Sequence, residues 1–258
     1  VGADARRDEI RAVLAELVGA LGGNELTKVK NIPLVFDKDE SEINAFAGCE
    51  KGAPYMATTE GFNLAMDAVA NTKATDELFG TKTYEAYAAT LPERLSKKGG
   101  VPSLLPGTIP AKYVNDLKRQ SRARELFDDL VAFTLGHELA HHYLGHTGCA
   151  NGQPQTAGPN PAVLGHLLTN IVPVLNQPVE LAADSSGTRN VLTAGRARRP
   201  KFVWSEAGGY LLFDFFGRLE ANAPMLAKVA FLRTHPESKV RIPFVQAAAK
   251  KWRSENPG

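Results

Sequence analysis

The chain has 258 residues, of which 43% are hydrophobic and 22% charged, an ordinary globular composition with enough length for one large domain. Thirty Lys and Arg against 28 Asp and Glu leave a formal charge of +2, which argues against a polyanionic partner such as nucleic acid. No apolar run approaches the roughly 20 residues of a membrane span, because the most apolar stretch, Tyr210 to Phe216, is broken by Asp214 and followed by Arg218.

The chain starts at Val1 with neither an initiator Met nor a signal peptide, which reads as a processed or truncated form whose export signal, if any, is removed; the expected localisation is exported, periplasmic, secreted or lipid-anchored. Its two cysteines, Cys49 and Cys149, fit either one disulfide or two reduced thiols.

Residues 4 to 21 carry Ile10, Val13, Leu14, Leu17, Val18 and Leu21 at helical spacing and stop at Gly22-Gly23. Three short β-prone runs follow, at 32–36, 43–47 and 54–59, which predict a small antiparallel sheet. Helical pattern returns from about Thr59 to Ala70 and again from Lys73 to about Tyr87. Residues 92 to 110, rich in Pro and Gly, read as an irregular surface loop.

A long helix is predicted from about Val114 to Leu144, with Ser121 as a candidate break. Residues 147 to 161 read as a loop, either a plain surface loop or a lid over a cleft. Further helices are predicted at 161–175, 178–193, 205–222, 224–233 and 239–252. The basic cluster Arg196, Arg198, Arg199 and Lys201 reads as a solvated loop rather than a binding patch. The fold class is therefore α+β and predominantly helical, a single domain over 1–258.

The segment Gly136-His137-Glu138-Leu139-Ala140-His141 lies inside the long helix. Positions i and i+4 share a helix face, so His137 and His141 can direct imidazole nitrogens at one ion. Glu138 is rotated from His137 by about 100 degrees and flanks the ion as a base for its bound water. The pattern arises by chance on the order of once in a hundred chains of this kind, so it carries weight.

Catalytic zinc needs a third protein ligand and an open position. A third His six residues after His141 is missing, since that position is Thr147 and His146 misses the register. The stronger candidate is Glu180-Leu181-Ala182-Ala183-Asp184, preceded by Pro178 and a cap at Asn176. Here Glu180 is the expected ligand, and Asp184, one turn on, is expected to receive the N–H of a ligand imidazole. His142 and His146 are expected to pack or hydrogen-bond.

These segments resemble the M48 peptidases, the zincins of the Ste24, HtpX and Oma1 types. The resemblance spans Ile43 to Ala47 with Pro54 to Thr59, the His137 to His141 motif with His146, Glu180 to Asp184, and Thr234-His235-Pro236 through Arg241-Ile242. It implies a zincin-like domain, with His137, His141 and Glu180 holding one Zn2+, Glu138 as base, and Asp184 orienting a ligand or donating a proton. It also implies that His235 lies near the cleft, where an imidazole would stabilise an oxyanion or simply start the last helix.

An extended protein or peptide substrate is expected to add as a strand at Pro54 to Thr59, with Asn44, Ala45, Met56, Ala57 and Thr58 as the contacts. The expected activity is that of a zinc endopeptidase. Two alternatives stay open: an aminopeptidase of the gluzincin type, although no G-x-M-E-N stretch is present, and a latent zinc-bound peptide-binding or chaperone-like protein. A purely structural metal site fits poorly, with only three evident ligands and Glu138 unused.

Overall fold

The computed structural model describes residues 2–149, 177–198, 202–221, 235 and 238–257. The helices predicted at 161–175 and 224–233, and the loop beyond Cys149, lie outside the described residues. The architecture is predominantly helical with one three-stranded sheet, as α+β requires.

The first helix, α1 (Ala3–Gly19), buries Ile10, Val13 and Leu17 at helical spacing. A seven-residue helix, α2 (Gly23–Val29), follows where none is predicted, because so short a segment carries too little periodic signal and is marginal in isolation. Tertiary contact supplies the rest: Val29 is buried, and Lys28 Nζ donates to the carbonyl of Tyr143, 2.7 Å away.

Strands β1 (Leu34–Asp37), β2 (Ala45–Glu50) and β3 (Ala53–Thr59) lie in the order β1-β3-β2. The sheet is mixed rather than antiparallel: β2 and β3 form an antiparallel hairpin, while β1 pairs with β3 in parallel. The hairpin turn has two positive-φ residues, Lys51 at 50° and Gly52 at 81°, the twist that favours a tight antiparallel connection. The segment between β1 and β2 crosses the end of β3, where Thr59 Oγ1 accepts the backbone N–H of Asn44 at 3.1 Å and Thr59 N–H donates to Asn44 O at 3.0 Å. Alternation along a strand reports which face is buried but not which neighbour it pairs with, so β1 gave no warning of its direction.

Helix α3 (Glu60–Phe79) starts at Thr59, whose hydroxyl accepts from Phe62 N at 3.0 Å, and ends at Gly80 in the left-handed region. The predicted interruption after Ala70 is absent. Asn71 and Thr72 stay helical within the packed α3, their side chains donating to Asp67 O and Ala68 O, both at 2.8 Å. Helix α4 (Thr83–Ser96) therefore begins later than expected, with Asp76 accepting the backbone N–H groups of Thr83 and Tyr84 at its start. It continues through Pro92, where an irregular loop was the expectation.

After the short α5 (Ala111–Val114), the central helix α6 (Leu117–Tyr143) is capped by Asp116, which accepts from Arg119 N at 2.9 Å, and runs unbroken past Ser121. From Leu130 to Tyr143 every residue is buried, because α1, α2, α3 and the sheet surround it together with α7 (Gln177–Ala197) and α8 (Ala207–Glu220). Helix α9 (Ser238–Glu255) packs on α7 and α8. One hydrophobic core joins Ile10 of α1 to Val245 of α9 through Leu130, Phe133 and Leu139.

Cys49 of β2 and Cys149, in the turn after α6, are disulfide-bonded with Cα atoms 5.8 Å apart. No helix among the described residues is long and apolar enough to cross a membrane. In the basic cluster, Arg198 is structural: it pairs with Glu16 at 3.1 Å and lies over the Trp204 ring at 4.1 Å.

Candidate metal centre

The site forms where α6 and α7 cross. A methyl group at Gly187 of α7 would stand 2.8 Å from the backbone N of His137, and one at Gly136 would stand 3.2 Å from Gly187 O, so the two backbones touch. Glycine permits this approach. Asp184 and Glu180 sit one and two turns before Gly187 on the same face, which aims both carboxylates at the histidines that follow Gly136. Gly187→Ala is expected to overpack the crossing, with a loss of about 1–3 kcal/mol in stability and weaker metal uptake, measured by denaturant unfolding and zinc titration. Unchanged values for both would contradict this account of the crossing.

The crossing gathers a compact cluster. His137 Nε2 and His141 Nε2 are 2.9 Å apart, and the Glu180 oxygens lie 3.4 Å from the first and 3.3 Å from the second. His235 Nε2 is 3.3 Å from Glu138 Oε1 and 3.8 Å from Glu180 Oε2. One ligand atom from each of His137, His141, Glu180 and His235 falls within 4.8 Å of the others, and all four residues are buried. This cluster could hold a metal ion.

Two features fit such an ion. Tetrahedral coordination with bonds of about 2.0–2.1 Å separates ligand atoms by about 3.3 Å, close to the distances from Glu180 to both imidazoles. In addition, among the described residues no donor has hydrogen-bond geometry to Glu138 Oε1 or either buried Glu180 oxygen, an arrangement that protein interiors rarely tolerate unless something else satisfies the oxygen.

Charge points the same way. Glu138, Glu180 and Asp184 are buried carboxylates; burial pushes their pKa values up, but the surrounding cations and imidazoles prevail and hold all of them below the ordinary range. Arg241 is the guanidinium buried among them. A divalent cation would bring these groups to neutrality. For His137, burial pulls the pKa down, yet the hydrogen bond with Asp184 and the nearby charges of Glu180 and Asp184 raise it to about 9. For His141, burial and then the neighbouring His137 lower it to about 4.

Behind the cluster, His137 Nδ1 lies 2.9 Å from Asp184 Oδ1, the predicted contact. Arg241 donates through Nε to Asp184 Oδ2 at 2.7 Å and through Nη2 to Oδ1 at 2.6 Å. His141 Nδ1 faces His146 Nδ1 at 3.0 Å, on the ring edge away from the cluster, so His146 bonds to the His141 ring from outside the group. His142 bonds to Tyr55 O at 3.0 Å and Thr147 Oγ1 at 3.1 Å, and so ties α6 to β3.

The side chains of all five expected substrate contacts are buried, Asn44 and Ala45 as well as the three on β3. Strand β3 is central and paired on both sides, so no peptide can add to it, and Met56, Ala57 and Thr58 are buried. Among the described residues the strand edge beside α6 belongs to β2, which begins at Ala45 after Asn44. Sequence reasoning missed the contact of Arg241 with Asp184, which joins residues 57 apart. It also missed the Gly136–Gly187 crossing, for which the glycine after the acidic pair was the available signal.

Compared with family models, curated proteins and solved structures, the chain matches none.

Proposed function

We propose that the chain is a zinc-dependent endopeptidase of the M48 type, with His137, His141 and Glu180 as ligands. The observation that carries this reading is the arrangement of those three groups around one point, with Glu138 beside them and Asp184 behind His137. Two imidazoles and a carboxylate suit zinc, which when bound lowers the pKa of water and polarises a carbonyl.

The side chains then divide the work. Glu138 takes the proton of the attacking water and passes it to the leaving amine. Asp184 is unsuited to that proton transfer, because both of its oxygens already accept from Arg241 and one also faces His137. The ring of His235, 3.3 Å from Glu138, would donate to the oxyanion as charge develops. An extended peptide adding to the β2 edge would gain backbone hydrogen bonds with little demand on its sequence. The Cys49–Cys149 bridge supports an oxidising, exported setting.

A second reading, a latent zinc-bound peptide-binding protein, is favoured by the same His235. Its Nε2 belongs to the potential ligand group, and a fourth imidazole would close the position that catalysis needs open.

Incubation of the zinc-loaded protein with unfolded casein tests these readings. Internal cuts, seen as new N-termini throughout the casein chain, are expected. Stepwise loss of N-terminal residues would favour an aminopeptidase, and zinc uptake without any cleavage would favour the latent protein.

A further inference from the structure

We propose that Arg241 is a positioning residue of the metal centre: by holding Asp184 as an acceptor on both oxygens, it fixes the tautomer and orientation of His137 and so sets how tightly the ion is held. This inference rests on the metal reading of the cluster.

Arg241 comes from α9, which contributes no member of the predicted ligand set, yet its side chain reaches the centre. It is only 2% exposed, and burying a guanidinium carries a high desolvation cost that its ion pairs must offset. Here Nε and Nη2 engage the two oxygens of Asp184 in the fork geometry that guanidinium offers and ammonium does not. The guanidinium carbon lies 4.6 Å from the centre of the Phe213 ring, and Phe213 meets Phe133 of α6 edge-on at 5.4 Å, so packing limits its movement.

The hydrogen bonds then fix the proton on His137. A guanidinium has donors and no acceptor, so the two contacts leave Asp184 as an acceptor-only carboxylate. Arg241 Nη2 and His137 Nδ1 stand 3.3 Å apart, and both face Asp184 Oδ1. The carboxylate oxygen at 2.9 Å is the nearer partner and can only accept, which favours a hydrogen on His137 Nδ1, and in the neutral ring the lone pair is then on Nε2, which faces His141 and Glu180. Arg241 Nη2 also stands 3.5 Å from Glu180 Oε2, which places its charge against a ligand carboxylate. The chain from α9 through α7 to α6 thus connects Arg241 to a ligand ring that it does not need to coordinate with.

The test is zinc affinity by competition with a chromophoric chelator, together with the visible absorption of Co2+-loaded protein, which reports ligand geometry without relying on activity. Arg241→Lys keeps the buried charge but loses the fork; it is expected to bind zinc roughly 10- to 100-fold more weakly, with altered Co2+ bands. Arg241→Gln is expected to lose more, with near-ultraviolet circular dichroism separating weak binding from a failed fold. Asp184→Asn is expected to weaken binding alone, and adding Arg241→Lys to it should cause no further loss, since the effect passes through Asp184.

An Arg241→Lys protein that binds zinc within about twofold of wild type and keeps the Co2+ spectrum would overturn the proposal, as would losses that multiply in the double variant. Wild-type protein that takes up neither ion would instead overturn the metal reading itself.

Discussion

Glu138→Gln is expected to retain its metal and lose hydrolysis of unfolded protein by roughly 10²- to 10⁴-fold, the usual contribution of a positioned general base. Glutamine nearly preserves the size of the side chain and cannot accept the proton. Glu138 Oε1 lies 3.3 Å from His235 Nε2. Metal content by elemental analysis and casein cleavage, measured on the same preparation, check both halves. A variant that cuts casein at the wild-type rate would remove Glu138 from the mechanism, and one that loses its metal would make Glu138 part of the binding set.

The opposite pattern is expected for Glu180→Ala. This substitution deletes the carboxylate that lies within 3.4 Å of both ligand imidazoles and leaves two imidazoles where a catalytic ion needs three protein ligands. Zinc affinity should fall by more than the roughly 10- to 100-fold that loss of an outer partner causes, and activity should fall with it. Because an ion that binds only the native state raises stability by mass action, a chelator should lower the melting temperature of wild type and leave that of Glu180→Ala unchanged. Equal chelator sensitivity in both proteins would place the ion elsewhere.

The parts of the site that were legible in the sequence are those in which helical periodicity does the positioning. His137 and His141, and then Glu180 and Asp184, are each one turn apart, so each pair is bound to share a face wherever its helix packs. Which helices meet is a tertiary question. The distance between α6 and α7 depends on Gly136 and Gly187, and the Asp184–Arg241 contact links separate helices with no local pattern.

The sheet illustrates the same limit. Alternation and turn residues located the three strands, whereas the parallel pairing of β1 with β3 depends on a crossing held by Thr59 and Asn44. It is this pairing that makes β3 central and moves the candidate docking edge to β2. In α3 the helix runs through Asn71 and Thr72, where the apolar pattern read as two segments, and stops at Gly80.

Anomalous diffraction at the zinc absorption edge, from crystals of the zinc-loaded protein, tests the central claim most directly. The account predicts one strong peak about 2.0–2.2 Å from His137 Nε2, His141 Nε2 and a Glu180 oxygen. A peak bound by other residues, or no peak within reach of these three, would contradict it.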